Sequence, residues 1–404
     1  MSGPKGERLK AVILAAGEGT RLGPFTHTEP KVMIPVGNRP ILEYVVQALV
    51  ENGIRELILV VGYRKERIMT HFEEGKSFGA RIEYVVQTKQ LGTAHALLQA
   101  RDKLDDDFLV LPGDNVIDAR TVQDLLEKGA VPSIVITESE MPSKYGVVIL
   151  EGDWVRDLVE KPVDRISNLI NTGIYALDHG FLAMCEESVG SGVSDIPAVL
   201  NRLSGVKKLR AIHTQGTWID AVYPWDLIRV NATALATLEE QTAGKVEEGV
   251  VLRGPVSIGE GSVVRAGAYV LGPVAIGTGC DIGPHVTIYP STSIGQNVTI
   301  GPSSFIEESV IMNDCSLGAF SYVSHGVLGK GVRSGSHLSS PSEAATIQLE
   351  GELHSLERVG SFLGEDTLLG GGVKVLPGSI VGARCNVSSG CTLRGDLEHG
   401  SVVI

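Results

Sequence analysis

The chain has 404 residues, of which 43% are hydrophobic, 21% charged and 5% aromatic, with 49 glycines and a formal net charge of -13 at pH 7. That length exceeds one ordinary core and predicts two domains, and the composition is that of a globular chain and excludes a disordered one. The acidic balance, with no basic tract, argues against nucleic acid as a partner, so any polyanion site must be built locally from a few Lys and Arg. Five cysteines (Cys185, Cys280, Cys315, Cys385 and Cys391) show no zinc spacing and are odd in number, which predicts a reduced, cytoplasmic protein. The first ten residues, MSGPKGERLK, hold no apolar leader, and no apolar run is long enough to span a bilayer, so no membrane partner is expected.

Residues 10–15 (KAVILA) read as a buried strand. A glycine-rich loop follows, LAAGEGTRLGPFTHTEPK over residues 14–31. Gly17 and Gly19 lack the third glycine of a dinucleotide fingerprint, and no Gly-Lys-Ser/Thr follows as in a P-loop. What remains is a loop whose backbone N–H groups approach phosphates closely, with Arg21 and Lys31 as cations and Pro24 and Pro30 stiffening the path. Taken alone, these glycines are ordinary turn glycines and the two cations solvated charges.

Residues 41–50 (ILEYVVQALV) have helical spacing, with Pro40 before and Asn52–Gly53 after. A strand at 57–61, a helix around 68–72, a strand at 82–86, a helix around 94–100 and a strand at 108–111 follow. This alternation predicts a mostly parallel sheet covered on both faces, with its ligand at the carboxyl ends of the strands. After about residue 133 the strands run closer together, which predicts an antiparallel or mixed extension. Residues 224–238 read as a helical connector.

From about Val246 the period changes. Leu252, Ile258, Val264, Val270, Ile276, Ile282, Ile288, Ile294, Ile300 and Ile306 stand six residues apart, often followed by glycine. Six is the hexapeptide period of a parallel β-helix whose apolar residues point to the coil axis. The register slips near Met312 and returns at Leu363, Leu369, Val375, Val381, Val387 and Leu393. Residues 337–360 must leave the coil as a loop or hairpin. The expected domains are therefore 1–222 for the α/β part, 223–245 for the connector and 246–404 for the β-helix.

Several short stretches in order complete a pattern. Gly17–Glu18–Gly19–Thr20–Arg21 and Pro30–Lys31 are followed by Gln90–Leu91–Gly92–Thr93–Ala94, Gly113–Asp114–Asn115, Tyr145–Gly146–Val147, Glu160–Lys161–Pro162, Asn171–Thr172–Gly173 and Trp218–Ile219–Asp220. In this order they resemble the sugar-1-phosphate nucleotidylyltransferases. With the β-helix behind them, the chain resembles the archaeal two-domain members related to GlmU-type enzymes. The resemblance implies an α/β nucleotidyltransferase domain with a Rossmann-like mixed sheet, followed by a left-handed β-helix.

It also implies a reaction, in which a sugar 1-phosphate oxygen attacks the α-phosphorus of a nucleoside triphosphate and pyrophosphate leaves. Both reactants are anions, so alignment and charge neutralisation are the main tasks. By resemblance, Asp114 and Asp220 would hold Mg²⁺, while Arg21 and Lys31 would stabilise the triphosphate and its transition state. Lys161 would grip the sugar phosphate. Leu14, Ala16, Gly17, Gly19 and Thr20 would line the nucleotide, and Gln87, Gly92 and Thr93 would read a uracil or thymine ring. Gly146, Glu160 and Asn171 would contact the sugar, the last of them at the substituent on its second carbon. The expected substrate is UTP or dTTP with a hexose or N-acetylhexosamine 1-phosphate, most simply of the UDP-N-acetylglucosamine type.

β-Helices of this family form trimers, and many transfer acetyl from acetyl-CoA to glucosamine 1-phosphate. The family's histidine base, three residues before a tyrosine, corresponds to Ala319 before Tyr322, and Ser340 stands where an asparagine is expected. The hairpin that is basic in relatives reads TIQLEGE over residues 346–352. Without base or cations the expected role of this domain is a scaffold forming a homotrimer or a multiple of it, or a regulatory module, acetyl-CoA being a cofactor only if His325 or His337 replaces the base. A glucose-1-phosphate uridylyl- or thymidylyltransferase and an active bifunctional enzyme are the alternatives. A non-catalytic subunit of a regulatory complex is the alternative of another class, and the full set Arg21, Lys31, Asp114, Lys161 and Asp220 argues against it.

Overall fold

A computed structural model describes residues 9–104, 106–205 and 208–404. Residues 1–8, where no apolar leader is expected, lie outside the described residues. Chain contacts divide the protein into two compact units, one holding the described residues through Glu18 together with Ile41–Ile219, the other holding Gly19–Pro40 and Asp220–Ile404. The stretch Gly19–Pro40, read in the sequence as part of a first domain ending at residue 222, thus packs with the coil-bearing unit.

The first unit is built on strand β1 (Lys10–Ala15), helix α1 (Ile41–Glu51), β2 (Glu56–Val61), α2 (Lys65–Phe72), β3 (Arg81–Val86), α3 (Thr93–Gln99) and β4 (Asp107–Pro112). Strands β1, β2, β3 and β4 run parallel, with Val12 opposite both Ile58 and Val110. Their continuous apolar runs follow from burial on both faces. Helix α1 turns Ile41, Leu42, Val45, Val46, Ala48 and Leu49 inward, the spacing of one helical face. It stops where Gly53 takes φ 80°, a left-handed value that glycine adopts at little cost.

Beyond β4 come β5 (Asn115–Ile117), α4 (Ala119–Lys128), β6 (Ser133–Glu138), β7 (Gly146–Glu151), β8 (Trp154–Glu160), β9 (Leu169–Asp178), α5 (His179–Gly190), α6 (Ile196–Ser204), β10 (Arg210–His213) and β11 (Trp218–Asp220). The main sheet has the order β3-β2-β1-β4-β9-β6-β10-β8-β7. Strand β9 is antiparallel to β4 and β6, and β8 to β7, so the sheet becomes mixed past residue 133 as the closer strand spacing predicts.

In the second unit, helix α7 (Asp226–Leu235) is shorter than the connector read from the sequence. The coil follows as three stacks of short parallel strands. Ile258 opposes Ile276, and Ile276 opposes Ile294, one coil every eighteen residues (258, 276, 294). These axial side chains are almost fully buried. The glycine after each one is a packing requirement: a Cβ on Gly259 would lie 2.6 Å from Gly277, and one on Gly277 would lie 2.6 Å from Gly295.

The slip near Met312 has a simple form. Ile294 opposes Ile311 and Ile311 opposes Leu328, so two coils are one residue short (294 to 311, 311 to 328) and Met312 is not the axial residue. Leu328 then opposes Leu363, with a β-hairpin of Glu343–Leu349 and Glu352–Val359 between them. The axial stack resumes with Leu363 opposite Val381. All five cysteines are free. No helix among the described residues is long and apolar enough to cross a membrane.

Candidate active site

The first unit gathers its candidate residues at the carboxyl ends of the parallel strands. The Gly113 N–H donates to Leu14 O at 2.9 Å, tying the turn after β4 to the end of β1. A Cβ on Gly113 would meet the Leu42 side chain at 3.1 Å and Ala15 Cβ at 3.2 Å, so a side chain here would press both neighbours aside by a few tenths of an ångström. The Ala16 carbonyl accepts from Tyr63 N at 3.2 Å and Gln90 Nε2 at 2.7 Å, while Gly17 has nothing within 4 Å of its Cβ position and faces open space. Asp114 is half-buried in the turn ahead of β5.

Gln87, Gly92 and Thr93 also come together, with physical roles the sequence did not show. Gln87 is buried, and its amide nitrogen donates to Gly92 O at 3.2 Å and faces His95 Nδ1 at 2.9 Å. Its Nε2 is thereby occupied within the chain. Gly92 takes φ 130°, and a Cβ there would lie 2.5 Å from Ser194 O, so the close approach of the loop before α6 already demands glycine. Thr93 Oγ1 accepts from Ile196 N at 2.8 Å, tying the start of α3 to that of α6.

The candidate sugar residues are assembled by the ladder of β7 and β8, in which Gly146 opposes Glu160. A Cβ on Gly146 would lie 2.9 Å from Glu160 Oε2 and 3.7 Å from Asn171 Cβ. Asn171 donates through Nδ2 to the Tyr175 hydroxyl at 2.8 Å and accepts from Gly173 N at 2.8 Å, across an irregularity in the β9–β6 ladder. Burial pushes the Tyr175 phenol well above its ordinary range, so it stays protonated. Lys161 is exposed and held at φ 43°, with its N–H donating to Tyr145 O at 3.1 Å. A left-handed φ outside glycine stores strain, and such strain concentrates at working sites. Trp218 donates Nε1 to Thr172 O at 3.1 Å and meets the Tyr145 ring edge-on.

The second unit holds Gly19, Thr20, Arg21, Lys31 and Asp220. Gly19 takes φ 70°, and a Cβ would lie 2.6 Å from Lys31 Cβ, so the loop closes on the lysine stem. Lys31 Nζ donates to Asp220 Oδ1 at 2.9 Å, both side chains being largely covered at 13% and 15% exposure. Thr20 and Arg21 are exposed in a short 3-10 turn. The loop's far end is sewn to the coil. Asn231 accepts from Gly37 N at 2.8 Å and from Ser293 Oγ at 2.7 Å and donates to Ser291 O at 2.8 Å; Asn38 Nδ2 donates to Ile294 O at 2.7 Å and Ala275 O at 3.2 Å. Neither Asn231 nor Asn38 stood out in the sequence, because their partners are scattered along the chain with no fixed spacing.

A glycine-rich turn after the first parallel strand, with an aspartate turn beside it and a mixed extension carrying Gly146, Glu160 and Asn171, is the construction of an α/β nucleotidyltransferase. The Nucleotidyl transferase family profile matches residues 10–237, and the GMPPB C-terminal domain profile matches residues 270–397. The bifunctional protein GlmU of Methanococcus maripaludis is 34% identical over 98% of this chain and 97% of its own length. A bifunctional sugar-1-phosphate nucleotidylyltransferase/acetyltransferase of Sulfurisphaera tokodaii is 31% identical over 97% of this chain and 99% of its own. Among solved structures, UDP-glucose pyrophosphorylase complexed with UDP-glucose matches with TM-score 0.50 and 26% identity, covering 56% of this chain and 98% of that one. The chain belongs to the nucleotidyl transferase family and is a sugar-1-phosphate nucleotidylyltransferase of the two-domain type with a β-helix.

Proposed function

We propose that this enzyme joins UTP to N-acetylglucosamine 1-phosphate, releasing pyrophosphate and UDP-N-acetylglucosamine. The observation that carries the sugar side is the meeting of Gly146, Glu160 and Asn171 next to the strained, exposed Lys161. Lys161 neutralises the sugar phosphate, Glu160 accepts hydrogen bonds from sugar hydroxyls, and Asn171, braced by Tyr175 and Gly173, faces the substituent on the second carbon. On the nucleotide side, Gln87 Nε2 is engaged by Gly92 and His95, so the part left for the base is its Oε1, an acceptor for the imide N–H of uracil or thymine.

Arg21 and Lys31 neutralise the triphosphate and the departing pyrophosphate, with Leu14, Ala16, Gly17, Gly19 and Thr20 lining the nucleotide. Removing one such preorganised charge costs roughly 10²–10³ in rate. Asp114 and Asp220 are the proposed Mg²⁺ ligands. Among the described residues no three or more His, Cys, Asp or Glu side chains form a metal cage. That suits Mg²⁺, a hard cation that takes one or two carboxylates and fills its remaining positions with water and phosphate oxygens. When bound, it supplies Lewis acidity and a template for the two phosphates.

For the β-helix we propose a scaffold forming a trimer or a multiple of one. Ala319 offers no proton acceptor, and the two nearby histidines do not replace it. Both His325 nitrogens are engaged, Nε2 with Glu308 at 2.8 Å and Nδ1 with Ser324 Oγ at 3.2 Å, and burial pulls its pKa below the usual value. His337 stacks flat on Phe320 at a centroid distance of 5.2 Å. Packing coils about a threefold axis would cover the flat faces a single narrow coil leaves open. A pyrophosphate-release screen of four nucleoside triphosphates against a panel of sugar 1-phosphates tests the substrates; ATP or GTP giving the highest turnover would overturn the base assignment.

A further inference from the structure

A cleft of about 270 Å³ opens in the mixed part of the first unit, and none of the residues assigned to the reaction lines it. Its origin is topological. Strand β10 pairs with β6 along its whole length, from Arg210 opposite Ser133 to His213 opposite Ile136. With β8, among the described residues, it pairs only where Arg210 stands opposite Trp154. The chain between β7 and β8 turns back at Gly152, φ 60°, and Ala211 N donates to Asp153 O at 2.9 Å beside that turn. Past Ala211 the edge of β10 is therefore open. The cleft lies along this edge, which side chains from either face of the strand can reach, so Arg210 and His213 both line it.

In a chain of net charge -13 this lining is unusual: Lys128, Arg210 and His213 stand against one carboxylate, Asp153, with Leu150 and Leu169 as apolar wall. Lys128 Nζ is already paired with Asp124 Oδ1 at 3.2 Å. Arg210 is half-buried, yet among the described residues its guanidinium makes no hydrogen bond or ion pair, and neither does the His213 ring or the Asp153 carboxylate. A cation drawn partly out of water without a partner is unfavourable until something completes it. A guanidinium fork and an imidazole N–H suit phosphate oxygens, an unpaired carboxylate suits hydroxyl groups, and two leucines suit the carbon face of a ring. The volume lies just under the roughly 300–1,000 Å³ of pockets for drug-sized ligands, which favours one phosphorylated ring over a nucleotide. We propose that this cleft is a second ligand site, for a monophosphorylated monosaccharide, with its phosphate on Arg210 and His213 and its hydroxyls on Asp153. The site is distinct from that of the reaction and does not depend on which substrates the reaction takes.

The test is isothermal titration calorimetry on the full-length protein with glucose 6-phosphate, inorganic phosphate and glucose. The proteins are the parent, Arg210→Ala, His213→Ala, Asp153→Ala and, as a control at the proposed reaction site, Lys161→Ala. Lys128 is left intact because it also holds Asp124. The melting temperatures of the three cleft variants, and their pyrophosphate release without added ligand, should stay close to those of the parent. Glucose 6-phosphate should bind the parent and Lys161→Ala with equal affinity, and Arg210→Ala at least about tenfold more weakly, the low end for a lost hydrogen bond to a charged group. His213→Ala should weaken it in the same direction. Asp153→Ala should weaken glucose 6-phosphate but not inorganic phosphate, since it removes a hydroxyl acceptor and a like charge together. Inorganic phosphate should bind more weakly than glucose 6-phosphate, and glucose alone should give no saturable heat. Equal affinity for inorganic phosphate and glucose 6-phosphate would overturn the sugar part of the proposal. No binding to the parent at millimolar concentration, binding unchanged in Arg210→Ala and His213→Ala, or binding lost only in Lys161→Ala would overturn the site itself.

Discussion

Replacing Asn231 with alanine removes three hydrogen bonds at once. The Asn231 side chain is fully buried, accepts from Gly37 N and Ser293 Oγ and donates to Ser291 O, all within 2.8 Å. Alanine leaves two donors and an acceptor without their side-chain partner. At about 1–2 kcal/mol for each unsatisfied group, the total is roughly 3–6 kcal/mol. That is a large fraction of the roughly 5–15 kcal/mol that holds an ordinary domain together. The loss should appear as a lower melting temperature in calorimetry and as faster hydrogen exchange at the Gly37 amide. Because the Gly37 amide anchors the far end of the stretch carrying Arg21 and Lys31, kcat/KM for the nucleotide should fall as well. Serine at 231 should recover part of the stability by accepting from one donor. A melting shift equivalent to less than about 1 kcal/mol, with Gly37 exchange unchanged, would refute the view that this asparagine fastens the phosphate loop to the coil.

Asp114→Asn and Asp220→Asn should each abolish most Mg²⁺-dependent turnover while the melting temperature stays close to that of the parent; near-normal rates in both would remove the metal assignment. Lys161→Ala should raise KM for sugar 1-phosphate far more than KM for nucleotide, measured by varying each substrate in turn, and equal effects would take Lys161 off the sugar phosphate. Thiol release from acetyl-CoA with glucosamine 1-phosphate should be very weak, since Ala319 accepts no proton; brisk release lost on His325→Ala would show a relocated base. Light scattering at micromolar concentration should find a trimer or a multiple of one, and a monomer would contradict the scaffold proposal.

Periodicity made the architecture legible. The two-face burial of β1, β2 and β4 writes itself as unbroken apolar runs, and the coil axis writes itself as one apolar residue in six. Where the period broke, the cause was local: two coils lose one residue each, which shifts the axial position from Met312 to Ile311. The site was legible only as residue types in order. Gly92 was expected to admit a ring, whereas the close approach of Ser194 already requires glycine there. Thr93 ties two helix starts together, and Gln87 spends its nitrogen on Gly92 and His95. The fastening of residues 19–40 through Asn38 and Asn231 joins groups up to 256 positions apart, and nothing in local spacing reports such pairs.

The central claim is that this chain makes a nucleotide sugar from UTP and N-acetylglucosamine 1-phosphate. The most direct measurement incubates the purified protein with MgUTP and that sugar phosphate, follows pyrophosphate release and identifies the sugar product by mass. The account predicts stoichiometric UDP-N-acetylglucosamine and pyrophosphate, dependence on Mg²⁺, and near-complete loss in Lys31→Ala. Absence of product across every nucleotide and sugar 1-phosphate tested, or full activity in Lys31→Ala, would contradict it.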